Sequence, residues 1–256
     1  MEPIRVGIVG TGNYAWHLIQ CFKASSLSID VHFGRSTESF EGFIHPPETK
    51  QTHSLDDLSN CDLLFLCISD SSIKSLSNYW ANHAALVIHV SGGLGIQALH
   101  SKNKGVFYIP QSFTKGRNIS YFGLPVCIEA DTDENKSKLQ QLAQKLQLEI
   151  HLLDSDQRRR LHLAAVMTNN FANYLFIQAE EWMQQYKIDP SILHPLMLET
   201  AKKAIDLGPK NAQTGPAIRG DMGTVKKHLR LIKNMKLKSL YRRITRDIFE
   251  SREKKL

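Results

Sequence analysis

Apolar residues follow two different rhythms along these 256 positions. Up to about residue 154, short apolar runs alternate with segments of helical spacing. Residues 4–9, 29–34, 62–68, 85–90, 106–109, 126–130 and 149–153 read as strands, and 14–24, 73–80 and 135–146 as helices, with a shorter helical start at 54–58. The run Leu63-Leu64-Phe65-Leu66-Cys67-Ile68 is nearly unbroken, as a strand covered on both faces requires. Strands alternating with helices predict an α/β fold with a doubly wound sheet. After Asp154 the alternation stops. Residues 155–186, 190–207 and 225–249 read as helices, with Asp189-Pro190 a start signal, Gly208-Pro209 a stop, and the last stretch one amphipathic helix or a pair. The expected organisation is a sheet domain over 1–154 and an all-α domain over 155–256.

The first strand opens directly onto Gly10-Thr11-Gly12-Asn13-Tyr14-Ala15 and the helix behind it. In a dinucleotide-binding turn Gly10 permits the sharp bend, Gly12 lets the backbone approach a pyrophosphate, and Ala15 lets the helix lie close to the strand. The helix N-terminus then faces the phosphates, making Thr11, Asn13 and Tyr14 cofactor-binding candidates as well. An ordinary glycine turn is the competing reading. The 29–34 strand ends at Arg35-Ser36-Thr37, where an NAD-binding protein usually carries Asp or Glu. A guanidinium there pairs with a 2′-phosphate and hydroxyls add hydrogen bonds, so Arg35 and Ser36 point to NADP(H), against a solvated loop arginine. Asp30 lies too early in its strand to reach the ribose. Two further strands exit into Ser69-Asp70-Ser71-Ser72 and Ser91-Gly92-Gly93. That edge of a doubly wound sheet borders the cofactor, which adds Ser69, Ser91 and Gly92. His89 reads as a packed strand residue.

Composition narrows the class. With 42% hydrophobic residues the chain is globular, and no apolar run approaches the length of a membrane span. The charged, glycine-rich start is not a signal peptide, and a cytoplasmic protein is expected. Cys21, Cys61, Cys67 and Cys127 form no C-x-x-C pair and read as small buried hydrophobes, so no metal is expected. The net charge of +7 is uneven: Lys226 to Lys255 carries +9 and the remainder −2. The plain reading is a solvated face on a packed helix, and no motif supports nucleic acid as a partner.

The 155–186 helix holds Leu161, Ala165, Thr168, Ala172, Leu175, Phe176 and Ala179, an apolar surface broad enough for the centre of a helical lobe or a subunit contact. Spacings of seven and four place His162, Asn169 and Asn173 on one helical face. Such polar groups serve either structural hydrogen bonds or a cleft wall. In the loop Thr214-Gly215-Pro216-Ala217-Ile218-Arg219-Gly220-Asp221, Arg219 suits a carboxylate or phosphate, or pairs internally with Asp221, which is placed to cap the next helix.

The glycine turn, His89-Val90-Ser91-Gly92, Pro110-Gln111-Ser112-Phe113, His162-Leu163-Ala164-Ala165-Val166 with Asn169, and Thr214-Gly215-Pro216 with Arg219-Gly220-Asp221 together resemble Rossmann-like proteins that carry the domain of unknown function 2520. Those are similar in architecture to pyrroline-5-carboxylate reductase, ketopantoate reductase and the 6-phosphogluconate and 3-hydroxyisobutyrate dehydrogenases. The resemblance spans nearly the whole chain and implies NADP(H), a Rossmann-type sheet, a helical C-terminal lobe and a homodimer through the C-terminal helices. It departs at one point. The hydroxyacid dehydrogenases of this superfamily use a lysine shortly before an Asn-Asn pair, and alignment on Asn169-Asn170 puts Val166 there. Arg158, Arg159 and Arg160 lie too far back. His162, one turn before Val166, is the available proton-exchanging substitute.

The expected function is an NADP(H)-dependent oxidoreductase acting on a small anionic metabolite in the cleft between domains. His162 would be the acid/base, Asn169 would orient substrate, and Asn173 and Arg219 would bind it. The alternative is a non-catalytic NADP-binding sensor or scaffold.

Overall fold

The computed structural model describes residues 4–253. Eight strands build one sheet: β1 (Val6–Val9), β2 (Val31–Phe33), β3 (Lys50–Thr52), β4 (Leu63–Leu66), β5 (Leu86–His89), β6 (Asn103–Tyr108), β7 (Pro125–Ala130) and β8 (Glu149–Leu152), in the order β3-β2-β1-β4-β5-β6-β7-β8. Neighbours are parallel except β6 and β7. The register pairs Val9 with Phe33 and Leu66, and Leu66 with His89. Four strands therefore end level at one edge. The chain winds one way from β1 to β3 and the other way from β4 onward, so the switch point lies between β1 and β4, where such sheets bind ligands.

Strand side chains alternate between two cores. Val6, Ile8, Leu63 and Phe65 pack with α1 (Asn13–Ala24), while Val9, Leu64 and Leu66 pack with Ile73 of α2 (Asp70–Ser77) and with Trp80. The helix α3 (Asp133–Lys145) joins the first core through Leu139, Leu142 and Ala143. All four cysteines are buried and free.

The strand–helix alternation ends at β8, but the compact unit that contains the sheet continues through Asn170. It takes in α4 (Ser155–Ala165), whose start is fixed by a capping box between Asp154 and Gln157. Arg158 of α4 is fully buried: it pairs with Glu129 of β7 and donates to the Leu94 carbonyl. Beyond α4 the helix does not continue regularly. Val166–Phe171 form a π-helical stretch.

The second unit starts at Phe171. It contains α5 (Ala172–Gln185), α6 (His194–Leu207), α7 (Pro209–Ala212), α8 (Pro216–Arg219), α9 (Met222–Leu231) and α10 (Met235–Glu253), so the 225–249 stretch resolves as a pair of helices. Asp221 caps α9 by accepting from Thr224 N. Lys254 and Lys255 of the basic segment lie outside the described residues. Among the described residues of this unit, Ala217, Val225 and Ile232 are buried. Of the apolar surface expected on the 155–186 helix, Leu161, Ala165, Ala172, Phe176 and Ala179 are half-buried and Thr168 and Leu175 exposed, with Phe171, Tyr174 and Ile177 exposed beside them.

Candidate functional site

At the switch point a cavity of about 1030 Å³ is lined by Gly10, Thr11, Gly12, Asn13 and Tyr14 after β1, Gly34 and Arg35 after β2, Ser69 and Asp70 after β4, and Ser91 after β5. Each of these positions follows a strand end, which is why residues far apart in sequence converge. Gly10 has φ +114°, and a Cβ there would overlap the Cys67 carbonyl. No neighbour lies within 4 Å of a Cβ placed on Gly12, so the turn leaves open space there. Gly12 caps α1 without a side-chain hydrogen bond, and the first turn carries no acidic residue. The leading backbone N–H groups of α1 are thus available to an anion, and the residues present fit the pyrophosphate of a dinucleotide. Ala15 is buried against the sheet rather than facing the cavity.

Arg35 lines the cavity just beyond the end of β2. Ser36 does not line the cavity, and its hydroxyl is engaged by Glu38, whose carboxyl is held below its ordinary range by its own backbone N–H and by that bond. Tyr14 presents its ring to the cavity, but its hydroxyl donates to Phe107 O at 3.0 Å and accepts from Ile109 N at 2.9 Å, tying α1 to the end of β6.

Buried histidines support this edge. His32 donates from Nε2 to the Gly10 carbonyl at 2.8 Å, so its Nδ1 is bare and accepts from His45 Nε2 at 2.7 Å. Burial lowers the His32 pKa to about 4. His89 is buried too, with Nδ1 accepting from Ser91 N at 3.2 Å; burial and the nearby Arg158 charge lower it to about 4. Ser91 in turn donates to Asp70 Oδ2 at 2.9 Å and accepts from Gly93 N and Leu94 N. Ser91 therefore shapes the loop as well as the cavity.

His162 reaches this loop from α4. A Cβ on Gly92 would stand 2.7 Å from His162 Nδ1 and 2.7 Å from the Tyr108 ring, so glycine is what lets the two rings close over the backbone. Nδ1 lies 3.2 Å from the Tyr108 hydroxyl. A Cβ on Gly93 would stand 3.8 Å from the ring's Cδ2 and 3.6 Å from Asp70 Oδ2. Arg158, one turn earlier, holds Leu94 and so fixes α4 against the same loop. Sequence reasoning missed Tyr108, Asp70 and Arg158 as members of this constellation.

The shared face expected for His162, Asn169 and Asn173 does not survive. The π stretch Val166–Phe171 replaces i→i+4 with i→i+5 bonding, which breaks the 3.6-residue count between His162 and the later asparagines. Asn169 lies inside that stretch and is exposed. Asn173 and Arg219 belong to the second unit, where both are exposed.

Residues 124–248 match the family described as Domain of unknown function (DUF2520). A solved structure from Bacteroides fragilis, described as a candidate NADP oxidoreductase, is 31% identical and superposes with a TM-score of 0.87 over 97% of this chain and 99% of its own. The chain belongs to this family. A Thermotoga maritima protein of the same fold is 21% identical, with a TM-score of 0.73 over 98% of this chain and 99% of its own. Pyrroline carboxylate reductase from Plasmodium falciparum, solved with NADP bound, shares the fold at 13% identity, with a TM-score of 0.59 over 99% of this chain and 97% of its own. No curated protein matches the chain. No helix among the described residues is long and apolar enough to cross a membrane.

Proposed function

We propose that this family member is an NADP(H)-dependent oxidoreductase that moves hydride to or from a small anionic metabolite. The observation that carries this reading is the convergence of the glycine turn, Arg35 and the Ser69, Asp70 and Ser91 strand exits on one cavity at the switch point. The Bacteroides fragilis relative supports it. When bound, the nicotinamide supplies or accepts the hydride. The α1 N-terminus binds the pyrophosphate, Arg35 selects the 2′-phosphate, and Ser91 with Gly92 borders the nicotinamide end. His162 exchanges a proton with the substrate oxygen or nitrogen, its ring nitrogens being able to donate and to accept. Asn169, Asn173 and Arg219 remain the candidates for orienting and holding the substrate. A homodimer through the C-terminal helices completes the reading, supported by the exposed Leu196, Leu198 and Ile205.

Thermal unfolding with each coenzyme tests the proposal. NADPH at about 100 times its Kd stabilises by about 2.7 kcal/mol, NADH at the same concentration stabilises less, and Arg35→Asp reverses the order. Equal shifts for both coenzymes would refute the assignment of Arg35. A second reading, a sensor that binds NADP without hydride chemistry, is favoured by Val166 at the position of the superfamily lysine. Tight NADP binding with no turnover over oxo acids, imines and hydroxy acids would establish it.

A further inference from the structure

We propose that Tyr108 is the positioning residue for His162: its hydroxyl engages Nδ1 and leaves Nε2 as the nitrogen that exchanges a proton with substrate. This rests on the reading of His162 as the acid/base. Tyr108 is the last residue of β6, directly opposite Cys127 of β7, and its ring is packed with Val106, Cys127 and Leu161. The hydroxyl is therefore delivered from a rigid base. It meets Nδ1 at 3.2 Å, with the two rings edge to face at 81°. Nε2 has no hydrogen-bond partner among the described residues, and the adjacent Cδ2 lies 3.8 Å from where a Cβ on Gly93 would stand, with Asp70 Oδ2 3.6 Å from the same point.

A hydroxyl oxygen accepts from Nδ1–H while its own proton turns away, so the neutral ring carries its proton on Nδ1 and Nε2 is bare. In the reducing direction the imidazolium gives its Nε2 proton to the substrate oxygen or nitrogen and remains as a neutral ring with Nδ1–H on the Tyr108 oxygen. In the oxidising direction the Nε2 lone pair takes the proton back. The ring keeps its partner throughout. Tyr108 stays protonated itself, since burial raises its pKa.

Long-range proton–nitrogen spectra of the full chain labelled with ¹⁵N-histidine test the assignment, with His162 identified by the signals lost in His162→Gln. In the wild type His162 shows one dominant neutral tautomer. Tyr108→Phe turns that into a mixture, with NADPH affinity unchanged. Unaltered His162 nitrogen shifts in a folded Tyr108→Phe protein would overturn the proposal. Should that variant not fold, Gly92→Ala supplies the same test, because its methyl group must part the two rings, and it is expected to abolish the single tautomer. Failure of the wild type to bind NADPH would sink the oxidoreductase reading instead, and leaves the tautomer measurement as it stands.

Discussion

The sheet unit and the helical unit spend their apolar residues in opposite ways. In the first, Ile8, Phe65, Leu64 and Val87 are entirely buried by the unit's own helices, and even a charged side chain, Arg158, is enclosed with its partner. In the second, Leu198 is 75% and Ile205 82% exposed, and burial among the described residues is confined to Ala217, Val225 and Ile232. The first unit encloses a hydrophobic core of its own. The second presents side chains that are worth about 1.5 to 3 kcal/mol each only when covered. Stability in the first is therefore set by the chain itself, and in the second by whatever meets its surface.

Mutation should separate the two regions sharply. Arg158→Ala strands Glu129 in a mostly buried site and removes the donor to Leu94, so a loss of about 3–5 kcal/mol is expected in urea unfolding of the sheet transition. A loss below about 1 kcal/mol, the usual worth of an exposed pair, would mean that Arg158 is solvated and the contrast is overstated. A comparable effect, shared between two histidines, follows from pH. His32 and His89 have folded pKa values near 4 against an ordinary 6.5, so the unfolded chain binds their protons first. Their contribution is complete above pH 6.5 and drains away as pH falls toward 4, by at most about 1.4 kcal/mol per pH unit for each histidine. Urea midpoints between pH 7 and 5 should fall accordingly, and His89→Gln should flatten the decline. The smallest effect is expected from Leu198→Ser with Ile205→Ser at high dilution, within about 0.5 kcal/mol as for ordinary surface positions. A loss that grows with protein concentration would instead show the same residues covered by a second copy.

The same division governs how much could be read in advance. Strands buried on both faces announce themselves as apolar runs, and the glycine turn is a local requirement of backbone geometry, so the sheet and its switch-point residues were legible. The strand β3 was not, because Lys50-Gln51-Thr52 is a polar edge with no apolar run. Arg158 was hidden among three successive arginines, of which only Arg158 is buried. Tyr108 looked like any strand residue, since alternation gives its face but not the element that arrives there. The helical face expected to join His162 to the asparagines was lost for a different reason. A count of 3.6 residues per turn carries no warning of a π stretch, and Val166–Phe171 has no composition that marks it.

The two rims of the sheet have a consequence for how copies of this chain meet. On one side β3 ends the ladder with Lys50, whose ammonium pairs with Asp57, and on the other β8 carries Glu149 and His151 side by side. Charged margins of this kind discourage strand-to-strand stacking and fibre growth. Strand-to-strand pairing is thereby disfavoured at both rims.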